Sequence, residues 1–397
     1  LRGVPVDDNG NFLTDISYNA NEKSDFQHLK ANIFQVTANI EISDELTNTT
    51  VFRAFSNERT QQYHENLGLV GDLDPATKAA SLPLLNFLGF PAEDSAMLRQ
   101  FRDQKRKNDE WSLTSDFVYE ASLGGLDHTV LFGLNYADIE RDQDLKFSDL
   151  IKTSGEINFA APDPTRHVGT LDILNPEYIA DTSKYLLIDT DFGNDHTTSK
   201  QLGVYLQDQI RVNEEWIAVV GARFDKFEDE NIETKIKVKD NHISPRVGAI
   251  YQPNKVTSVF INRSEGFVPQ GQSDSGDSLS PETSTQYELG IKNIWLDGNI
   301  NTTITTYHIV KEDVSVSNSD YTVGSNLPAQ FQIGEVTSKG VEVDMDLHLV
   351  KSVDNGFNWK TNINFYADES LVTRLPDGID QIILGNFFTG DAKNAAI

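Results

Sequence analysis

The sequence predicts an all-β fold, and more specifically an antiparallel transmembrane β-barrel. Three observations carry this prediction. Apolar and polar side chains alternate over long runs, about 12 such runs follow one another, and short and long connections alternate between them. Period-2 alternation indicates strands with one apolar and one polar face. Short turns at one end and long loops at the other are typical of outer-membrane barrels.

The clearest strands lie towards the two ends of the chain. Apolar residues take almost every second position in residues 34–42, 341–349 and 357–365. Many runs reach about 10 to 15 residues, whereas strands of globular proteins usually have ~5 to 6. In chain order, the predicted strands begin near His28, Thr47, Asn108, Leu126, Ser199, Glu214, Asn241, Lys255, Thr283, Asn299, Phe331 and Asn355.

The connections fall into two classes. Tight turns rich in Asn, Asp, Gly and Pro are predicted at residues 44–45, 213–214, 252–255 and 297–298. Long polar or mixed segments cover residues 67–106, 150–198, 270–280 and 318–330. A short helix is expected within residues 75–85. Because no composition shift marks a linker, the chain is interpreted as one continuous domain.

Composition excludes several functional classes. The chain has 397 residues, no cysteine, and 33 Lys+Arg against 61 Asp+Glu, which gives a net charge of −28. Without cysteine there is no disulfide framework, thiol catalysis or iron–sulfur cluster. Apart from Lys105, Arg106 and Lys107, the chain lacks the clustered basic residues with which proteins bind nucleic acid. The longest apolar stretch, near residues 216–222, is far shorter than the ~18 residues of a membrane helix.

Alternation alone does not say whether the apolar face meets lipid or a protein core. A soluble β-rich binding module therefore remains an alternative. The strand length favours the membrane, and so do the charged opposite face and the aromatic residues near strand ends. Asp208 is an exception, because it falls on the apolar face of its strand. The aromatic residues expected to form interfacial girdles are Trp111, Tyr119, Tyr136, Trp216, Phe224, Trp295 and Trp359.

Several phrases in the sequence resemble those of TonB-dependent siderophore receptors, and they occur in that family's order. The resemblance covers residues 28–368. The phrases are LGVYLQDQ (202–209), VGARFD (220–225), SPRVG (244–248), SEGFVP (264–269), LSPE (279–282), QYELGIK (286–292) and SKGVE (338–342). Within the family, GVPVD (3–7) and LDHTVLFG (126–133) are most similar to the ferric-hydroxamate, ferrichrome-type branch.

The resemblance implies that residues 1–397 are part of a receptor barrel of about 22 strands. A plug domain, a TonB box and the C-terminal strands are not recognised, so the chain is interpreted as a barrel fragment. A natural barrel of about 12 strands is the structural alternative. The implied location is the outer membrane of a Gram-negative bacterium, with outer-membrane lipid as a partner.

The implied function is TonB-energised uptake of a ferric siderophore, of the hydroxamate type. The siderophore would be the transported ligand, and no resident cofactor or metal and no enzymatic activity are expected. The TonB complex would act through the missing N-terminal region. A TonB-dependent importer of cobalamin, haem or an oligosaccharide is an alternative. A small-barrel enzyme is not supported, because no nucleophile and base can be assigned.

Ligand-binding residues should be lumen-facing aromatics near the long-loop end, because ferric chelates are broad and partly apolar. The resemblance points to Tyr63 and Phe147, and Tyr185, Phe267 and Tyr321 are further candidates. Phe192 and Phe227 are weaker ones. The acidic balance favours neutral or cationic ligands. A group of aspartates (Asp181, Asp189, Asp191 and Asp195) could bind Ca²⁺, but lacks the spacing of an EF-hand loop and is better interpreted as a solvated loop.

Overall fold

The computed structural model describes residues 5–6, 10–189, 194–271, 279–317, 330–352, 356–375, 383–384 and 395–396. Within these residues, twelve strands of 12 to 28 residues form one antiparallel sheet. In chain order they are β1 (Phe26–Glu41), β2 (Leu46–Leu69), β3 (Ala96–Leu123), β4 (Leu126–Ser148), β5 (Asp195–Arg211), β6 (Trp216–Asn231), β7 (Lys237–Asn254), β8 (Thr257–Val268), β9 (Glu282–Trp295), β10 (Ile300–Ser317), β11 (Gln330–Val350) and β12 (Trp359–Arg374).

Each long strand pairs with the next along the chain, so the sheet is an uninterrupted meander from β1 to β12. Two-residue strands at Leu171–Asp172 and Ile188–Asp189 add to β3 and β4, and Ile383–Leu384 pairs with Ala395–Ala396. The predicted all-β antiparallel fold is confirmed, and most strands begin within a few residues of the expected positions.

The start of β3 differs from the prediction. The strand begins at Ala96 instead of near Asn108, and its pairing with β2 continues from Lys105 to Met97, with one register shift between Asn66 and Gly68. Residues 99–108 (RQFRDQKRKN) carry polar side chains on both faces of the strand. Where neither face of the strand meets lipid, apolar and polar residues no longer alternate. The backbone hydrogen bonds to the neighbouring strand nevertheless continue. The sequence pattern therefore reports the membrane-facing part of the strand only.

The two faces of the sheet differ in polarity from one end of the meander to the other. Directly opposite residues of antiparallel strands share a face. One row across seven strands consists of Trp216, Tyr251, Val259, Ile291, Ile304, Val343 and Phe365. Ile304 is 45% and Phe365 58% exposed. We call this apolar side the outer face. The opposite side, which carries Arg223, Glu288 and Glu342, is the lumenal face.

Aromatic rings cluster towards both ends of the outer face. Trp216 packs on Tyr251 at the short-turn end, with ring centroids 4.7 Å apart. Trp111 packs on Tyr136 further up the wall, at 5.1 Å. Amphipathic rings at these two levels suit the two interfaces of a bilayer. The outer face therefore carries an apolar band bounded by aromatic residues.

Asp208, the exception to the apolar pattern, does lie on the outer face. Its carboxylate is 2.7 Å from Nδ1 of His128 on the neighbouring β4. His128 and Asp208 belong to adjacent rows of the same face. A charge on this face is tolerated because it has a charged or hydrogen-bonding partner beside it.

The long connections build a folded region beyond the sheet, at the end opposite the short turns. Helix α1 (Pro75–Leu88) begins after Asp74, whose carboxylate accepts hydrogen bonds from the backbone N–H groups of Ala76 and Thr77 at 3.0 and 3.1 Å. This confirms the expected helix. A small apolar core joins α1 to the start of β3 and to the segment after β4; it consists of Val70, Leu85, Leu88, Ala96, Leu150 and Ile157. We call residues 10–25, 70–95 and 149–189 the cap.

The other helical elements are short. Helix α2 covers Leu150–Thr153, and single 3₁₀ turns lie at Val70–Asp72, Ser154–Glu156, Pro164–Arg166 and Thr182–Lys184. Among the helices of the described ranges, none is both long enough and apolar enough to cross a bilayer.

Candidate ligand site at the lumenal mouth

Tyr63 and Phe147 lie in the same row of the lumenal face, with Arg102 between them. Tyr63 on β2 is opposite Arg102 on β3, and Arg102 is opposite Phe147 on β4. Their side chains therefore share a face, and the two rings are separated by two strand spacings, or about 10 Å. The row lies just below the cap. The two rings can contact an apolar body, and the guanidinium between them can donate hydrogen bonds to its oxygen atoms.

Arg102 is held in place by neighbours on the same face. Its Nε donates to Oε1 of Gln100 at 2.8 Å, and its Nη1 is 3.5 Å from Oε2 of Glu65. The Glu65 side chain is 8% exposed and the Arg102 side chain is 23% exposed. The guanidinium is thus fixed on one side and partly open on the other, as a ligand-contacting donor needs to be.

Two further arginines lie on the lumenal face below this row. Arg59 on β2 is opposite Arg106 on β3, two rows nearer the membrane. Arg59 and Arg106 place positive charge on this part of the lumenal face, where Arg102 is paired with Glu65. The net charge of the chain does not predict this arrangement.

Tyr63 also borders a cavity of about 840 Å³ between β2 and the N-terminal segment. In addition to Tyr63, the cavity is lined by residues 16, 18–22 and 25–27 of the N-terminal segment and by Gln61 and residues 64–66 of β2. Tyr63 is half-buried, whereas Phe147 keeps 7% of its exposure. Of the two rings, Tyr63 is therefore the more accessible to a ligand.

Phe267 lies at the long-loop end of β8 and borders a different, lumenal cavity of about 650 Å³. By alternation along β8, Phe267 would face outward like Val259. The pairing of β8 with β7, however, ends at Ser264, before Phe267 is reached. Beyond that point the Phe267 ring stacks on His242, with centroids 5.3 Å apart and planes at 4°. Phe227, one of the weaker candidates, also lines this cavity.

Tyr185 lies on the outer side of the sheet, not on the lumenal side. Its ring packs against Phe101 and His64 with centroids 5.2 and 5.7 Å apart, and its hydroxyl is 3.2 Å from Nε2 of His64. Both neighbours belong to rows that face outward further down the wall. Burial raises the pKa of the Tyr185 phenol well above its ordinary value. The geometry gives Tyr185 a role in packing the cap onto the wall.

The same region contains a buried acid–imidazole pair. Nδ1 of His64 is 3.0 Å from both carboxylate oxygens of Asp25. The backbone N–H of His64 donates to the same carboxylate at 2.8 Å. Burial alone would raise the pKa of the Asp25 carboxyl, but the hydrogen bonds and charge of His64 outweigh burial and hold it below its ordinary value.

Tyr321, Phe192 and Asp191 lie outside the described residues. Two of the other aspartates considered for Ca²⁺ have lysine partners: Asp181 is 3.3 Å from Lys184, and Asp189 is 3.1 Å from Lys146. Within the described ranges, no group of three or more His, Asp or Glu side chains is placed to hold a metal ion.

Arg102 was missed because its position gives no signal by itself. Residues 99–107 contain many charged side chains, and the sequence alone suggests that a basic residue among them is exposed to solvent. Only the register of β3 against both neighbours places Arg102, and not Arg99 or Lys105, beside Tyr63 and Phe147. Predicting that β3 extends through this segment would have placed Arg102 on the same face as Tyr63 and Phe147.

Known proteins resemble this chain in both sequence and fold. It is 28% identical over 279 residues to the metal-pseudopaline receptor CntO of Pseudomonas aeruginosa, a match covering 66% of this chain and 36% of that protein. It is 24% identical over 265 residues to the ferrioxamine B receptor of Salmonella typhimurium, covering 66% and 34%. The ferrichrome outer membrane transporter/phage receptor of Escherichia coli is 25% identical over 266 residues, covering 64% and 32%. These relatives are transport receptors rather than enzymes.

Solved structures show the same fold. The siderophore receptor PiuA of Acinetobacter baumannii superposes with a TM-score of 0.69 at 15% identity, covering 94% of this chain and 52% of that one. The pyoverdine receptor FpvA of Pseudomonas aeruginosa gives a TM-score of 0.68 at 16% identity, covering 94% and 49%. The chain thus spans about a third of the length of the curated relatives and about half of the solved chains.

The family model described as "TonB dependent receptor-like, beta-barrel" matches residues 2–395. The apolar outer face with its aromatic girdles agrees with this match, and the outer membrane of a Gram-negative bacterium is the location of such a barrel. This chain belongs to the TonB-dependent receptor β-barrel family.

Proposed function

We propose that the chain is the barrel part of a receptor that imports a ferric siderophore across the outer membrane, driven by the TonB complex. The observation that carries the proposal is the row of Tyr63, Arg102 and Phe147 at the lumenal mouth. Aromatic surface with a few fixed donors suits a large chelate whose iron-binding oxygens accept hydrogen bonds. The receptor would bind no resident cofactor, and TonB would act through a segment outside this chain.

The proposed chelate is of the hydroxamate type. Two relatives are named for ferrioxamine B and ferrichrome, which are hydroxamate chelates, and phrases of the ferrichrome-type branch occur in this sequence. The charge of −28 disfavours chelates with a large negative charge at long range. Of the candidate residues, Tyr63 and Phe147 lie on the lumenal face and Phe267 lines the lumenal cavity, and these three are proposed as ligand contacts. Tyr321 remains a proposal without structural support, and Tyr185 is proposed to act indirectly, by packing the cap.

An anionic chelate is the second candidate, and it rests on Arg59, Arg102 and Arg106. Three arginines on one side of the mouth would favour negatively charged oxygens at short range, where pairing outweighs the field of distant carboxylates. Relatives named for pyoverdine and pseudopaline belong to the same family. The two candidates therefore differ in ligand charge, and not in the position of the site.

The test is a titration of the purified full-length receptor, followed by quenching of tryptophan fluorescence. The probes are ferrichrome, ferrioxamine B and an anionic ferric tris-catecholate, each with its iron-free form as a control. Saturable quenching by the first two at micromolar concentration, with at least tenfold weaker binding of the catecholate, supports the hydroxamate proposal. The reverse order supports the anionic candidate. Quenching by haem or cobalamin, with none by any ferric chelate, overturns the siderophore function.

A further inference from the structure

Three aromatic rings on the lumenal face lie over glycines of the neighbouring strand. Tyr205 is directly opposite Gly133, Phe260 is opposite Gly290, and Tyr307 is opposite Gly340. A Cβ added at any of these glycines would overlap the facing ring. The missing side chain therefore lets each ring lie against the wall, where it would otherwise project into the lumen. The recurrence on separate strand pairs marks this as a feature of the wall.

The pair of Gly133 and Tyr205 differs from the others because the ring anchors further side chains. The Tyr205 hydroxyl donates to the carboxylate of Asp116 on β3. The guanidinium of Arg223 lies over the ring, 5.2 Å from its centroid. One ring thus joins a carboxylate two strands away to a cation on the next strand.

Arg223 is fixed flat against the wall by its remaining contacts. Its Nη2 donates to Oδ1 of Asn135 at 3.0 Å, and its Nε lies 2.8 Å from both carboxylate oxygens of Asp225. The guanidinium also covers Gly203, where an added Cβ would overlap it. These partners lie on β4, β5 and β6, so the guanidinium is held over its own strand and the two strands before it.

Tyr205, Arg223 and Asp225 line the lumenal cavity of about 650 Å³ that Phe267 also borders. Ser244 and Arg246 of the adjacent β7 line it as well. A ring lifted off Gly133 would enter this cavity and remove the surface on which Arg223 lies. The volume of the cavity therefore depends on a residue that does not line it.

We propose that Gly133 is a positioning residue, which holds Tyr205 and through it Arg223 flat against the lumenal wall so that the cavity stays open to a bulky chelate in transit. The role in transit rests on the proposed function, whereas the role in positioning does not. Gly133→Ala and Gly133→Val should both narrow the cavity, the valine more strongly, because even one Cβ overlaps the Tyr205 ring.

The absence of cysteine from the chain allows a direct test. In the full-length receptor with Ser244→Cys, and with any cysteine outside this chain replaced, the labelling rates of a small methanethiosulfonate and a bulky fluorescein maleimide are compared. Ser244 is opposite Arg223 on the cavity wall. Gly133→Val should lower the ratio of bulky to small labelling at least tenfold.

The matched control is Gly290→Val, which creates the same overlap with Phe260, a ring that does not line the cavity. It should leave the ratio within twofold. Heat-modifiability on gels identifies the variants that fold, and Gly133→Ala replaces Gly133→Val if the latter does not. An unchanged ratio in a folded Gly133 variant, or an equal fall with Gly290→Val, overturns the positioning role.

Transit is tested separately, by uptake of radioactive iron as ferrichrome in cells. Gly133→Ala should lower the initial uptake rate at least tenfold while the affinity for ferrichrome stays within threefold of the unsubstituted receptor. Normal uptake in a variant whose labelling ratio has fallen overturns the transit role alone. If the unsubstituted receptor takes up no ferric chelate, the proposed function fails, and the labelling result still decides the positioning role.

Discussion

Arg99 donates from Nη1 to Oε1 of Glu22 at 2.8 Å, although the two side chains keep only 4% and 2% of their exposure. The same arginine donates to the backbone carbonyls of Ala20 and Gly169 at 3.3 and 3.2 Å. One guanidinium therefore joins the N-terminal segment, the top of β3 and the loop after β4. The cap is held on the wall by a buried ion pair as well as by its apolar core.

Arg99→Met should destabilise the cap strongly, because it leaves the Glu22 carboxylate buried without its cation. Breaking a buried pair in this way costs about 3–5 kcal/mol. Hydrogen exchange of residues 164–185 in the full-length receptor should accelerate accordingly. Lys184→Met is the matched control, since the Lys184–Asp181 pair is about half exposed and such pairs contribute only ~0–1 kcal/mol. Equal effects of the two substitutions would contradict the conclusion that the buried Arg99–Glu22 pair stabilises the cap more than an exposed pair does.

Tyr63→Ala and Phe147→Ala should each weaken ferric chelate binding about tenfold, the equivalent of ~1.4 kcal/mol. Arg102→Gln should do the same, because the row loses its charged donor. Fluorescence titration measures each affinity. Tyr185→Phe serves as the control; it removes a hydroxyl from the outer side of the wall and should leave the affinity within twofold. A larger loss with Tyr185→Phe than with Tyr63→Ala would place the ligand elsewhere.

Stability of the cap should decrease below neutral pH because of His167. This side chain is buried in the cap, with Nδ1 3.1 Å from Oγ1 of Thr153. Burial, and next the charge of Arg166, lower the pKa of His167. The unfolded segment binds the proton more readily, so stability is complete above the ordinary value of about 6.5 and is lost as the pH falls towards the lowered pKa.

The measurement is hydrogen exchange of residues 149–189 at pH 7.5 and 5.0, corrected for intrinsic exchange rates. Protection should be weaker at pH 5.0 in the unsubstituted receptor. In His167→Gln the difference between the two pH values should shrink, whatever the absolute stability of the variant. Persistence of the full pH dependence in His167→Gln would assign it to other groups.

A charge placed on the outer face should be far more costly than one on the lumenal face. Leu206 is 54% exposed on the outer face, and its neighbour Gln207 lies on the lumenal face. Leu206→Arg should destabilise the barrel by about 2–4 kcal/mol if it lies near the middle of the bilayer. Gln207→Arg should cost much less, because it enters a wet lumen. Urea unfolding in lipid vesicles compares the two, and similar losses would contradict the assigned faces.

The local pattern of the sequence determined which faces of the wall are apolar, where the tight turns fall and that α1 begins near Pro75. These properties depend on side-chain parity and on turn and capping residues, which act over a few positions. The family phrases likewise belong to single strands or turns. The resemblance therefore points to Tyr63 and Phe147 as lumenal aromatics from the sequence alone.

Tertiary structure alone decided which residues meet. Arg102 lies between Tyr63 and Phe147 only because of the register of three strands, and that register continues through a segment without alternation. Tyr185 packs on the outer side because its loop folds back over the wall, and no local pattern records the path of a long loop. Pairing between strands distant in sequence is a property of the whole sheet, and alternation within one strand is the same for every partner.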